Sequence, residues 1–103
     1  MGYYMSMAEC GFSVKAEHVS KVEDQLKDFC FVPILDSKGN IVELEFIGEK
    51  LWEHREMLER ISQFVEDGSY IEMHGEDEAM WRWVFKNGVL YEIDAIVTWP
   101  EIP

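Results

Sequence analysis

The sequence predicts a single α+β domain in which two helices pack on one face of an antiparallel sheet. Two stretches repeat apolar residues at helical spacing, several short stretches alternate between apolar and polar residues, and only short turn signals separate them. At 103 residues, with 48% apolar residues, the chain can bury one core. We therefore treat residues 1–103 as one domain.

The first half of the chain predicts a strand, a helix and a hairpin. Residues 3–14 are rich in aromatic, Met and β-branched residues and predict a strand that bends at Gly11. The helix that follows carries one apolar face: Val19, Val22, Leu26 and Phe29. Residues 31–36 and 41–47 then predict two strands joined by a turn at 37–40.

The second half predicts a helix and three strands. The apolar stripe of the helix consists of Leu51, Leu58, Ile61 and Val65, widened by Trp52 and Phe64, and Gly68 closes the segment. Residues 69–74 and 80–85 predict strands joined by the polar turn 75–78. Asn87-Gly88 is a strong signal for a two-residue hairpin turn, so the last strand runs over 89–99 until Pro100 ends it.

Alternation along these strands predicts which side chains face the core. Ile71 and Met73 share one face of the first strand, opposite Tyr70, Glu72 and His74. In the next strand Trp81, Trp83 and Phe85 share a face, and the opposite face is also largely apolar, so this strand is predicted to be central. The first six elements match a ferredoxin-like βαββαβ core, which the C-terminal hairpin extends.

The charge balance limits the classes of partner. The chain has 21 Asp and Glu against 9 Lys and Arg, a net charge of −12, which repels nucleic acid and anionic membranes. A basic protein is therefore the expected partner. Cys10 and Cys30 are too few for a disulfide framework and are expected to be reduced and buried. With no apolar run of membrane-spanning length and no signal-peptide pattern, a cytoplasmic location is expected.

One segment concentrates acids without any Lys or Arg. Its members are the candidate binding residues: Glu66, Asp67, Glu72, Glu76, Asp77 and Glu78. They are expected at one end of the sheet, whereas Glu92 and Asp94 belong to the final strand. Carboxylates on a rigid domain can imitate a phosphate backbone and occupy a basic groove. Plain solubility is the alternative explanation.

No motif of a known catalytic or cofactor site occurs, so neither an enzyme nor a cofactor is predicted. His74 has Glu72 and Glu76 nearby, but no second histidine lies at a metal-ligand spacing, so no metal site is predicted. His18 and His54 fall beside charged residues on predicted helices and are expected at the surface.

Aromatic residues on the last strands could form a stacking platform for nucleic-acid bases. The rings concerned are Tyr70, Trp81, Trp83 and Tyr91. The scarcity of positive charge disfavours that use, so most of these rings are expected in the core. Trp99 and the Tyr3-Tyr4 pair are expected to be more exposed.

The phrase FVEDGSYIE at 64–72, followed by GED at 75–77 and MWRWVF at 80–85, resembles small uncharacterised proteins of phages and prophages, which often also start MGYY. The resemblance implies a phage origin but no activity. Three functions remain open. The first is an acidic inhibitor or nucleic-acid mimic that binds a basic host factor. The second is a non-catalytic accessory domain that forms a homodimer through an apolar edge strand, with a metal-binding protein or small enzyme as a third option.

Overall fold

The computed structural model describes residues 3–94, which form seven strands, two α-helices and one short 3-10 helix. In chain order the elements are β1 (Tyr3–Gly11), α1 (Ala16–Asp28), β2 (Phe31–Leu35), β3 (Ile41–Phe46), β4 (Lys50–Leu51), α2 (His54–Ile61), the 3-10 helix (Ser62–Phe64), β5 (Tyr70–Gly75), β6 (Met80–Lys86) and β7 (Val89–Asp94). The predictions for Ala95, Val97, Trp99 and Pro100 lie outside the described residues.

The strands form two antiparallel sheets. The larger sheet has the order β4-β1-β5-β6-β7, and the β2–β3 hairpin forms a sheet of its own. The predicted α+β class with an antiparallel sheet is thus confirmed. The ferredoxin-like arrangement is not confirmed, because within residues 3–94 the β2–β3 hairpin does not pair with a strand of the larger sheet. An isolated antiparallel bridge joins Ile41 to Val14, which follows β1.

The core lies on one side of the larger sheet. Ile71 and Met73 of β5 point to this side, with Trp81, Trp83 and Phe85 of β6, as the alternation predicts. Buried side chains of both helices join the same cluster: Val19, Val22, Leu26, Met57, Leu58 and Ile61. The opposite side is open among the described residues, so β6 is central in the sheet but buried on one face only.

The second helix is shorter than predicted, because the chain before it pairs with β1. Leu51 lies opposite Tyr3 in the β1–β4 ladder and therefore cannot begin a helix. Helix α2 begins at His54 instead, and a 3-10 turn follows it from Ser62. The hydroxyl of Ser62 lies 2.8 and 3.0 Å from the carbonyl oxygens of Glu59 and Gly88, which share its one proton, and this contact fixes the end of the helix against the β6–β7 turn.

Two side-chain predictions need correction. His54 was expected at the surface but is only 1% exposed, since it starts the buried stripe of α2 and packs among Phe29, Phe31 and Trp83. Cys10 and Cys30 are free thiols, as expected, but both are half-buried rather than buried.

Candidate functional site

The six candidate acids do not lie together. Glu66 and Asp67 precede β5, whereas the turn at 76–78 follows it. A strand rises about 3.3 Å per residue, so the six-residue β5 places the two groups on the order of 17 Å apart. Glu72 lies between them on the outer face. The expectation of a single acidic end formed by all six residues is therefore wrong.

Four of the six acids have partners inside the protein, and three of these four lie outside the turn at 76–78. Glu66 lies 3.7 Å from the ammonium of Lys15, and the Glu72 carboxylate accepts a hydrogen bond of 2.8 Å from Arg82. The Asp67 carboxylate accepts the backbone N–H of Asn87. These three contacts give Glu66, Asp67 and Glu72 a role in the fold. The cations Lys15 and Arg82 also offset part of the negative charge that a partner would meet.

The turn between β5 and β6 holds the other three acids in a fixed backbone. The Gly75 N–H donates to Ala79 O at 2.8 Å, and the Glu76 N–H donates to Tyr4 O at 2.9 Å, which ties the turn to β1. Glu78 has φ +66°, a conformation that glycine adopts more easily. Side chains of this turn are therefore displayed from a well-defined loop.

Asp77 is tied down by its side chain, unlike its two neighbours. Its carboxylate accepts hydrogen bonds from the hydroxyl of Tyr3 and from the Ala79 N–H. The bond to Asp77 raises the pKa of Tyr3 to about 12, and the same bond lowers the pKa of Asp77. Glu76 and Glu78 are exposed and have no ion pair among residues 3–94.

The register of the β6–β7 hairpin brings two further acids to the same end of the sheet. Asn87 and Gly88 both have positive φ, as a two-residue turn requires, so Lys86 pairs with Val89. Counting from that pair places Glu92 opposite Trp83 and Asp94 opposite Trp81. We call the resulting group the acidic end: Glu76, Asp77, Glu78, Glu92 and Asp94. Glu92 and Asp94 were not among the predicted binding residues, although the Asn87-Gly88 turn signal was sufficient to find them.

Beside the acidic end lies a cavity of about 380 Å3 with aromatic walls, which we call the aromatic groove. Its rings are Tyr3, Trp52, Trp81 and Trp83. Trp81 and Trp83 meet edge to face with centroids 5.7 Å apart, and Tyr3 lies 6.2 Å from Trp81. Trp52 is 56% exposed and stacks on Phe29, with centroids 4.1 Å apart.

Charged side chains surround this groove. Glu92 accepts a hydrogen bond of 2.8 Å from the indole N–H of Trp83, and its other oxygen lies 3.5 Å from the guanidinium of Arg55. Arg55 also donates to Glu59, at 3.2 Å, so its charge is matched within the protein. Glu56 and Asp94 line the groove too, and neither has an ion pair among the residues that the structure describes.

The four rings considered as a base-stacking platform do not share a face. Trp81 and Trp83 point into the core, whereas Tyr70 and Tyr91 both flank Val84 on the outer face. The guanidinium of Arg82 lies over the Tyr70 ring, 4.6 Å from its centroid. A continuous platform of all four rings is therefore absent from the described part of the sheet.

The region of His74 has no grouping of metal ligands. Between residues 3 and 94, no three His, Cys, Asp or Glu side chains cluster closely enough to hold one ion. His74 is exposed on β5, next to Glu72, which pairs with Arg82. No helix in this part of the chain has the length and apolarity needed to cross a membrane.

No family model, curated protein or solved structure matches the chain. The resemblance to phage proteins accordingly remains an expectation.

Proposed function

We propose that this chain is a non-catalytic, acidic protein-binding module of phage origin, which acts in the cytoplasm by occupying a basic surface of a host protein. The observation that carries the proposal is the acidic end, where Glu76, Glu78 and Asp94 lie at one end of the sheet without an ion pair among the described residues. An inhibitor or nucleic-acid mimic is the specific form of this function.

Rigidity supports this function. Carboxylates on a backbone that is already positioned lose less conformational entropy on binding, and a field of one sign accelerates the encounter with an oppositely charged partner. The bonds of Gly75 to Ala79 and of Asp77 to Tyr3 hold the turn in place before a partner arrives. The net charge of −12 adds long-range attraction toward a basic protein.

Charge reversal at the acidic end tests the proposal. The variant E76K/E78K spares Asp77, so the bond to Tyr3 is retained. The matched control is E43K/E45K, which makes the same change in net charge at two exposed acids of β3. We expect a basic host protein to be retained from lysate by the immobilised wild type and by the control, and to be lost with E76K/E78K.

The salt dependence completes the test. Raising the salt concentration should release the retained protein from the wild type, because screening weakens contacts between exposed charges. Equal loss of that protein with both lysine variants would mean that only net charge matters. Retention by E76K/E78K would also overturn the proposal.

A homodimeric accessory domain is the second candidate function. The observation in its favour is an apolar strip on the outer face of β7, where Val89, Tyr91 and Ile93 are each about half exposed, at 49%, 50% and 54%. β7 is also an edge strand among the described residues. In this case light scattering should give the molar mass of a dimer for the wild type and of a monomer for Ile93→Lys. A monomeric wild type would exclude the homodimeric function.

A further inference from the structure

We propose that the aromatic groove receives the side chain of one arginine from the basic partner. This inference deepens the proposed function and rests on it, since it names the chemical group that the acidic end guides into place. The groove offers aromatic faces and carboxylates within one cavity, and a guanidinium is the side-chain group that suits both.

Trp52 gives the groove an exposed aromatic surface. Phe29 supports one face of its indole, yet more than half of the Trp52 surface is exposed and borders the cavity. Tryptophan is the aromatic side chain that attracts cations most strongly. A supported ring with an open surface is thus ready to receive a planar cation without a change in its own position.

Glu56 and Asp94 add two negative charges to the groove. Arg55 is the one cationic side chain among the described residues that line it, and Arg55 is matched by Glu59 and Glu92. An anionic ligand would meet these carboxylates unfavourably, and an apolar ligand would bury them without a partner. A cationic ligand would instead attract these carboxylates and give them a partner.

Arginine is preferred over lysine for geometric reasons. A guanidinium stacks on rings and forms paired N–H bonds to carboxylates, which an ammonium cannot do. The protein already places one guanidinium over a ring, with Arg82 over Tyr70, and another beside carboxylates, with Arg55 between Glu59 and Glu92. The volume of about 380 Å3 lies in the lower part of the range for ligand pockets, which suits one side chain better than a large ligand.

The test is a titration of the full chain with three small probes. Binding is monitored through the NMR signals of the indole N–H groups. The probes are N-acetyl-arginine methylamide, the lysine analogue, and the citrulline analogue, which has the shape of arginine without its charge. We expect saturable shifts of Trp52, Trp81 and Trp83 with arginine, an affinity about tenfold weaker with lysine, and no saturable shift with citrulline.

Two variants and their controls locate the binding. Trp52→Ala and Asp94→Asn should each weaken arginine binding about tenfold. Tyr91→Ala, an exposed ring on the outer face, and Glu45→Gln should leave it unchanged. Because Asp94→Asn removes no packing, it keeps the test valid if Trp52→Ala disturbs the fold.

Two results would overturn the inference: the absence of saturable shifts with arginine, or equal binding of arginine and citrulline. The titration uses no partner protein and reports on the groove alone. Failure here beside a positive lysate experiment would remove only the arginine assignment. Success here beside a negative lysate experiment would instead count against the proposed function.

Discussion

His54 shows how the core fixes a protonation state. Its Nε2–H donates to Phe29 O at 3.1 Å, because a carbonyl oxygen can only accept. Its Nδ1 accepts the backbone N–H of Trp52 at 3.2 Å, which requires that nitrogen to be unprotonated. Both ring nitrogens are thus satisfied only in the neutral form. Burial lowers the pKa of His54, and the bond to Phe29 offsets this shift in part.

We expect the free energy of unfolding to depend on pH through this residue. Above pH 7 His54 is neutral in both states. As the pH falls below about 6.5, the unfolded chain takes up a proton that the folded protein resists, so stability declines until the lower folded pKa is reached. Urea unfolding between pH 8 and pH 5, taken as approximate limits, should show this decline, and the slope should flatten in His54→Gln.

The matched controls are His18→Gln and His74→Gln, which replace the other two histidines. Both variants should keep the slope of the wild type. If His54→Gln and the wild type lose stability in parallel, another group is responsible for the decline.

The position of His54 could have been predicted from spacing rather than from chain neighbours. Residues adjacent in a helix point in different directions, so Glu53 and Arg55 say little about the residue between them. His54, Met57, Leu58 and Ile61 follow the i, i+3, i+4, i+7 pattern of one face, and all are buried. The same spacing places His54 on the face that was predicted for Leu58 and Ile61.

At the scale of elements, the β2–β3 turn provides the cap of helix α1. Lys15 occupies the N-cap position and makes no side-chain cap bond. The Ala16 N–H instead donates to the side-chain oxygen of Asn40, at 2.8 Å. Asp36 holds Asn40 in place by accepting its side-chain N–H at 3.0 Å and its backbone N–H at 2.9 Å. These bonds also lower the pKa of Asp36.

Removal of this cap should destabilise the protein. We expect Asn40→Ala to reduce the free energy of unfolding by about 1 kcal/mol, since the Ala16 N–H loses its acceptor. Asp36→Ala should have a smaller effect in the Asn40→Ala background than in the wild type, because the two residues act together. Chemical denaturation of the four proteins gives the coupling energy. Ser37→Ala in the same turn is the control, and additive effects would contradict the shared role.

The sequence was informative about strong local signals and weak on long-range pairing. Asn87-Gly88 predicted the β6–β7 hairpin because both residues tolerate positive φ, and alternation identified the buried face of β5. Strand β4 was missed, since two residues show no periodicity and their pairing with β1 is decided by tertiary contacts. The β2–β3 hairpin was predicted, but no local pattern specified that it would form a separate sheet.

At the scale of the whole molecule, the net charge of −12 opposes the folded state, which brings the acids closer together. Moderate salt should therefore raise the urea midpoint, because it screens this repulsion over about 10 Å at 0.1 M. Sodium and potassium chloride should act alike, because screening does not depend on which of the two cations is used.

Salt would then stabilise the protein while it weakens the contact with a basic partner. A urea midpoint that falls as salt is added would instead show that attractive ion pairs dominate.

The two-residue turn at Asn87 and Gly88 has a genetic consequence. Side chains alternate along β7, so one extra codon in this turn that shifted its pairing by a residue would exchange the two faces of the strand. Tyr91 and Ile93 would then face inward, and Glu92 and Asp94 would move to the solvent side. The two-residue length of this turn is therefore needed to keep Glu92 and Asp94 on their present face. A point substitution can change one of these acids alone, whereas a single in-frame insertion would displace both.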